Sequence, residues 1–301
     1  MLITGLHLLL TYQCTLECDH CFVWGGPWQS GTMTLRDIRK ILEQGGELGS
    51  VRSVYFEGGE PFLYYPVLIE AVRLASAMGF QVGVVSNAYW ATSADDARAW
   101  LAPLAGRVAD LSLSSDRFHG SEAPAPEVRN ALAAAAALGI PSGTITIAGP
   151  EAARGTAAGQ LPTGESGVMY RGRAAATLAG DVPSQPWESH TECPYEDLRE
   201  PGRVHIDPIG WVHICQGIAL GNLFQTPLRE IFEAYVPDAH PVAGPLLAGG
   251  PAELARRYCL PTAGRYADAC HLCFETRARL RTTFPAVLVP DQMYGYLEEP
   301  R

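Results

Sequence analysis

The 301-residue sequence is short of basic residues and of long apolar runs. It has 22 lysines and arginines against 32 acidic residues, which gives a formal net charge of -10. Nucleic-acid binding needs a basic surface that displaces counterions from the phosphates, so we expect no nucleic-acid partner. No window reaches the roughly 18 consecutive apolar residues of a membrane span, and no basic segment precedes an apolar run at the start. We therefore expect a cytoplasmic protein with no membrane partner.

The length is enough for one large domain with a smaller appendage. Apolar strand patterns alternate with helical ones over the first 184 residues, which predicts an α/β fold with a parallel sheet. From about residue 185 the composition changes, because prolines, aromatics and five cysteines replace the alanine-rich helices. We therefore predict two domains, residues 1–184 and residues 185–301.

The chain has eight cysteines and no secretory signal. A protein of this kind and size uses them for metal ligation rather than for a disulfide framework. Cys14, Cys18 and Cys21 lie on one short segment after the predicted strand Leu2–Leu10. Such triplets recur in iron-sulfur proteins, and three thiolates leave one iron of a four-iron cluster open. A closed zinc site would need a fourth ligand, which His20 could supply only awkwardly beside Cys21.

The spacing C-x3-C-x2-C, just after an apolar strand, resembles the signature of the radical S-adenosylmethionine (SAM) enzymes. The resemblance implies that these three cysteines hold a [4Fe-4S] cluster whose open iron binds the amino and carboxylate groups of SAM. It implies an electron donor such as ferredoxin or flavodoxin, and reductive cleavage of SAM to a 5'-deoxyadenosyl radical. It also implies that His20, which precedes the third cysteine, lies near the adenine.

Two further strand ends carry residues of interest. The predicted second strand, Val51–Phe56, leads into a Gly-Gly-Glu-Pro turn, where glycines allow close backbone approach to a ligand. The turn resembles the family's GGEP motif, and the resemblance implies that its four residues run alongside SAM: Gly58, Gly59, Glu60 and Pro61. The predicted third strand, Gln81–Val85, ends in Ser86 and Asn87 at the same edge of the sheet, and we assign both to the SAM site.

The predicted fourth strand, Ala109–Ser115, has a polar face. Alternation places Ser112, Ser114 and Asp116 on one side of it. Members of the family commonly carry Ser-x-Asp at this strand end with the serine on SAM, so the resemblance implies that Ser114 binds SAM. We assign Asp116 a catalytic place facing the substrate. The alternative, that Asp116 only caps a turn, stays open.

A sixth strand is predicted at Val168–Arg171, after an irregular crossover that begins at Gly149. Six β-α units predict a partial (β/α)6 TIM-like barrel, with the site at the carboxyl ends of the strands. Arg171, the last residue of the sixth strand, or Arg173 just beyond it is expected to pair with the SAM carboxylate, and Arg171 is our candidate.

The region after residue 185 contains a second cysteine group. It has Cys193, then a segment Gly210-Trp-Val-His-Ile-Cys215, a helix predicted from Gly221 to about Ala234, and a final Cys-x2-Cys pair. This order resembles the SPASM extension in its shorter twitch form. The resemblance implies a small α+β domain with a second [4Fe-4S] cluster held by Cys193, Cys215, Cys270 and Cys273. Cys259 is left without a role, and a zinc ribbon built from the same four thiols is the alternative.

The resemblance implies an oxidoreductase that abstracts hydrogen from its substrate, with the second cluster accepting an electron or helping to hold the substrate. The substrate would be a peptide, as in maturases, or a small alcohol, as in twitch-type dehydrogenases. Because the chain starts at its first strand, we expect no leader-binding domain, so a peptide substrate would need a separate leader-recognition protein or no leader. The alternative from another class is a non-catalytic electron-transfer or zinc protein.

Overall fold

The computed structural model describes residues 1–120, 124–148, 164–180 and 182–296. Its strands are β1 (Ile3–Thr11), β2 (Ser53–Gly58), β3 (Gln81–Ser86), β4 (Val108–Ser114), β5 (Ser142–Ile147), β6 (Gly164–Ser166), β7 (Gln185–Pro186), β8 (Gly202–Ile206), β9 (Trp211–Cys215), β10 (Ile218–Asn222) and β11 (Arg265–Tyr266). Its α-helices are α1 (Leu35–Leu48), α2 (Tyr65–Ala77), α3 (Ala94–Leu101), α4 (Pro126–Ala137), α5 (Arg173–Thr177), α6 (Leu228–Ala234), α7 (Ala243–Arg257) and α8 (Ala269–Leu280).

Among the described residues, nine strands form one open sheet in the order β10-β9-β8-β1-β2-β3-β4-β5-β6. Strands β1 to β6 pair in parallel, and β8 also runs parallel to β1. Strands β8, β9 and β10 then form an antiparallel meander. The predicted partial α/β barrel is confirmed. The sheet continues across the predicted domain boundary after residue 184, and that boundary stays a prediction.

The two faces of β1 have different neighbours. Leu6, Leu8 and Leu10 are fully buried. Leu6 faces helix α1 so closely that a Cβ at Gly45 would lie 2.9 Å from its Cδ1. Because side chains alternate along a strand, His7 and Thr11 point to the opposite, concave face of the sheet. The concave face is therefore the one on which ligands can be held.

Two predicted elements are wrong. Residues 168–171 form no strand, and β6 lies earlier, because Val168 and Tyr170 are buried in a small apolar cluster with Ile147 rather than in the sheet. The helix predicted from Gly221 begins at Leu228, because residues 221 and 222 still pair in the hairpin. Most of the crossover predicted from Gly149 lies outside the described residues.

A buried hydrogen-bonded group joins the end of β1 to the C-terminal hairpin. Tyr12 donates its hydroxyl proton to Asp207 Oδ2 over 3.0 Å, and His213 Nε2 lies 3.2 Å from the same oxygen. Asp207 and His213 are fully buried. Since Tyr12 precedes Cys14 by two residues and His213 likewise precedes Cys215, the group ties together the two segments that carry cysteines. None of the helices in the described ranges is long and apolar enough to cross a bilayer.

Candidate active site

The loop after β1 carries Cys14, Cys18 and Cys21, all partly buried. Its backbone presents amide donors to sulfur: Leu16 N lies 3.5 Å from Cys14 Sγ, and Gly25 N lies 3.2 Å from Cys21 Sγ. Burial raises the pKa of Cys14 to about 12. A thiolate at this position therefore needs a cation beside it, and iron held by thiolates with amide donors to the sulfurs meets that need. The loop fits the predicted cluster.

Arg173 holds this loop in place. Its Nη1 donates to Cys18 O and its Nη2 donates to Gly25 O, each over 2.7 Å. Its backbone amide donates to Cys21 O over 3.0 Å. Gly172 adopts a φ of +61°, and a Cβ there would lie 2.6 Å from Cys21 O. The Gly-Arg pair therefore supports the cysteine loop, a function that the sequence interpretation missed.

The Gly-Gly-Glu-Pro turn packs against the chain that leads into Cys14. A Cβ at Gly58, whose φ is +130°, would lie 2.5 Å from Thr11 O, and one at Gly59 would lie 2.1 Å from Gln13 O. The amides of Gly59 and Glu60 donate to Thr11 O and Gln13 O over 2.7 and 2.8 Å. The glycines are thus required by the protein's own backbone, and the contact of Gly58, Gly59 and Pro61 with SAM stays a prediction.

The Glu60 carboxylate is fully buried and organises the end of β3. Its Oε1 accepts hydrogen bonds from Phe62 N and Ser86 Oγ, each over 3.0 Å, and its Oε2 accepts one from Asn87 N over 2.8 Å. Burial raises the pKa of Glu60 to about 7. Ser86 Oγ also accepts a hydrogen bond from Trp90 Nε1 over 2.9 Å. The Glu60 side chain therefore positions Asn87 and is itself held by Ser86.

A cavity of about 270 Å³ lies against the cysteine loop. Leu16 of that loop, Asn87 after β3, and Ser114 and Asp116 at the end of β4 all line it. Asn87 Nδ2 is 3.0 Å from Thr15 Oγ1 and 3.6 Å from Cys14 Sγ. The structure thus brings three predicted site residues together next to the predicted cluster.

Asp116 is buried at the wall of this cavity and is engaged by its own loop and by the end of β5. Its Oδ1 accepts from Phe118 N over 2.9 Å and lies 2.7 Å from His119 Nδ1, and its Oδ2 accepts from Ile147 N over 3.0 Å. Burial acts to raise its pKa, but His119 and the other donors outweigh it and hold the pKa of Asp116 below its usual range. These contacts are those of a turn-capping carboxylate, and the catalytic assignment of Asp116 stays a prediction.

His20 lies beside this group. Its ring centroid is 4.7 Å from that of Phe118 and 5.1 Å from that of His119. Burial lowers the pKa of His20 to about 4, so the imidazole is neutral at pH 7. A neutral flat ring is suited to stacking on an adenine, which stays a prediction.

The second cysteine group also comes together. Cys193 lies in the loop before β8 and Cys215 ends β9, while Cys270 and Cys273 are one turn apart at the start of α8. All four line one pocket. Cys259 is exposed beyond the end of α7.

Two buried arginines line the same pocket. Arg171 Nη1 lies 3.5 Å from Cys215 Sγ and 3.4 Å from Glu196 Oε1. Arg277 is 1% exposed and donates to the carbonyl of Gln216. Arg171 is therefore placed at the second cysteine group and not in the cavity wall that holds Ser114, so its predicted pairing with SAM has no support in this geometry.

Residues 8–152 match the family model described as the Radical SAM superfamily. The chain therefore contains a radical SAM domain, and this domain implies an enzyme with a [4Fe-4S] cluster and SAM.

Three known proteins are informative. The putative peptide biosynthesis protein YydG of Bacillus subtilis (strain 168) is 25% identical over 124 residues, 41% of this chain and 39% of the relative, so the match spans about two fifths of that relative's length. The solved structure of Streptococcus suis SuiB bound to S-adenosylmethionine aligns with a TM-score of 0.52 at 13% identity, covering 77% of this chain and 65% of that one. Native anSMEcpe with bound AdoMet and Cp18Cys peptide also has a TM-score of 0.52 at 13% identity, covering 94% and 97%. The two structures show that the fold is shared.

Proposed function

We propose that the protein is a radical SAM oxidoreductase that abstracts hydrogen from a peptide, with a second [4Fe-4S] cluster as electron acceptor. The observation that carries the proposal is the cavity that lies between the Cys14 loop and the polar strand ends bearing Asn87 and Ser114. When bound, the cluster and SAM supply a 5'-deoxyadenosyl radical. The protein's own part is to hold the cysteine loop through Arg173 and to place Asn87 and Ser114 at the cavity beside that loop.

A peptide substrate is supported by what the similar proteins are. YydG is described as a putative peptide biosynthesis protein, and anSMEcpe was solved with a peptide bound. The small-alcohol alternative has no comparable support. A ferredoxin or flavodoxin donor and a separate leader-recognition protein stay predictions.

Charge supports an anionic centre at the second group. Arg171 and Arg277 are both buried against it, and a buried guanidinium is stable only beside a negative partner. Burial acts to lower the pKa of Arg171, but Cys215, Glu196 and Cys270 outweigh it and raise that pKa above its usual range, so the side chain stays charged. Four thiolates around a cluster would carry the compensating negative charge.

The proposal is tested by SAM cleavage. Protein reconstituted with iron and sulfide under anaerobic conditions and reduced with dithionite should release 5'-deoxyadenosine and methionine, measured by chromatography. The matched control has Cys14, Cys18 and Cys21 all changed to Ala. It should release none but keep about four of roughly eight irons per chain, because the second cluster remains.

Two outcomes contradict the proposal. Absence of 5'-deoxyadenosine from protein whose first cluster is confirmed by its spectrum would refute SAM cleavage. Binding of zinc and no iron by the triple variant would make the second group a structural ribbon and remove the electron acceptor. Cys259→Ala should leave the iron content unchanged, and loss of iron there would show that the four ligands are wrongly chosen.

A further inference from the structure

A group of polar side chains crosses the concave face of the sheet and does not line the cavity described above. His7 of β1 pairs with Tyr55 of β2 on one side and with His205 of β8 on the other. Glu57, two residues after Tyr55, lies on the same face. One ligand atom from each of His7, Glu57 and His205 lies within 4.8 Å of the others.

The group is built into the barrel interior. His7 stacks on Tyr55 with ring centroids 4.8 Å apart and planes 11° apart. The Tyr55 ring lies over Gly83 of β3, where a Cβ would be 2.2 Å from it, and its hydroxyl donates to Asp110 Oδ2 over 3.0 Å. These contacts fix the His7 ring. The side chains of His7 and His205 keep 18% and 16% exposure, so the group is accessible to solvent.

Glu57 is 8% exposed, and its Oε1 lies in the middle of the group without a hydrogen bond. Its Oε1 lies 3.1 Å from His205 Nε2 and 3.4 Å from His7 Nδ1. No described residue is aligned to donate a hydrogen bond to Oε1, and His7 Nδ1 likewise has no partner. A buried carboxylate oxygen and a buried ring nitrogen that face each other without a hydrogen bond are an arrangement that natural proteins avoid.

A second group of two histidines and a carboxylate differs from this one in its hydrogen bonding. His20, Asp116 and His119 also lie within 4.8 Å of one another. The Asp116 oxygens, however, receive two backbone amides and lie 2.7 Å from His119 Nδ1. That carboxylate is hydrogen-bonded within the protein, whereas Glu57 Oε1 has two imidazole nitrogens at ion-pair distance and an aligned hydrogen bond from neither.

The distances around Glu57 are those between ligands of one metal ion. Nitrogen and oxygen ligands at about 2.1 Å are separated by about 3.0 Å in an octahedral site and about 3.4 Å in a tetrahedral one. Two histidines with one carboxylate are also a recurring ligand set for divalent transition metals with open positions. We propose that His7, Glu57 and His205 bind one divalent transition-metal ion in the barrel interior.

Three protein ligands leave positions for water or a substrate oxygen, so the ion would hold and polarise an oxygen of a substrate in the barrel.

Zinc is the probe, because imidazole and carboxylate both suit it. The cluster-loaded protein with Cys259→Ala, which removes the exposed thiol, is incubated with zinc, freed of excess ion by gel filtration and measured for zinc and iron. We expect about one zinc per chain above the untreated sample. Glu57→Gln and His205→Gln should lose that zinc while keeping their iron, which shows that they are folded.

His119→Gln is the matched control, because it removes a histidine from the other group, and it should bind zinc as the parent does. Equal zinc in the parent and in Glu57→Gln would overturn the proposal, as would no zinc in the parent. Loss of zinc in His119→Gln alone would move the site to the other group and also refute it. SAM cleavage is measured separately, so failure of zinc binding does not bear on the radical SAM function.

Discussion

Arg173→Met is the substitution that best tests how the cysteine loop is held. Methionine keeps the length and apolar stem of the side chain but removes the two hydrogen bonds to Cys18 O and Gly25 O. The fold outside the loop should be unaffected. The first cluster should become labile, because its loop loses the contacts that hold it closed.

The size of the effect follows from those contacts. Arg173 is 5% exposed, and a hydrogen bond from a charged donor contributes about 1.5 to 3 kcal/mol. Two such bonds stabilise the closed loop by about 3 kcal/mol or more. Since about 1.4 kcal/mol is a factor of ten, the open loop should become at least about a hundredfold more populated.

The assay is transfer of iron to a chelator under anaerobic conditions, followed by the loss of cluster absorbance. The variant that lacks Cys14, Cys18 and Cys21 should lose one kinetic phase of iron transfer, and that phase belongs to the first cluster. Arg173→Met should accelerate that phase only. Arg107→Met is the control, because Arg107 is exposed and donates to Pro103 O over 3.2 Å at the surface. Equal rates for the two variants would refute this account of Arg173.

Three further predictions concern other parts of the chain. Arg171→Met should make the reduction potential of the second cluster more negative in an anaerobic redox titration, because it removes a positive charge and a donor to Cys215 Sγ; an unchanged potential would place the cluster elsewhere. Asp207→Ala should lower the free energy of unfolding in urea by about 3 kcal/mol or more, because it leaves a buried tyrosine hydroxyl and two backbone amides without their acceptor. Burial lowers the pKa of His240 from 6.5 to about 4, so the stability that its neutral ring contributes is full above pH 6.5 and is lost as the pH falls toward 4. Between about pH 7.5 and about pH 5.5 the free energy of unfolding in urea should fall by about 1 kcal/mol more for the wild type than for His240→Asn, because asparagine can cap α7 without titrating. Equal decreases in the two proteins would contradict this.

The sequence alone was enough to predict the parallel α/β sheet and the place of the candidate site. Apolar runs such as Leu2–Leu10 and the glycine-rich turn after β2 are local signals, and parallel strands bring their carboxyl ends to one edge whatever the details of packing. For that reason Asn87, Ser114 and Asp116 could be expected beside the Cys14 loop before any contact was known.

The tertiary structure decided what each side chain does there. Arg171 and Arg173 are two residues apart, yet Arg171 contacts the second cysteine group and Arg173 holds the loop of the first. No local sequence pattern predicts this difference. The glycines of the turn proved to be required by the backbone of Thr11 and Gln13. Such contacts join residues distant in the chain, so they depend on strand register and helix packing rather than on sequence spacing.

The same reason explains what sequence interpretation left out. His7 and His205 are each a lone histidine in an apolar strand, and Glu57 is one more residue before a glycine turn. Only the parallel pairing of β8, β1 and β2 brings them within reach of one another. Sequence therefore determined which residue types could serve as ligands and at which edge of the sheet the cysteine site lies. Long-range strand pairing decided which side chains meet, because spatial neighbours nearly 200 residues apart leave no periodic pattern in the sequence.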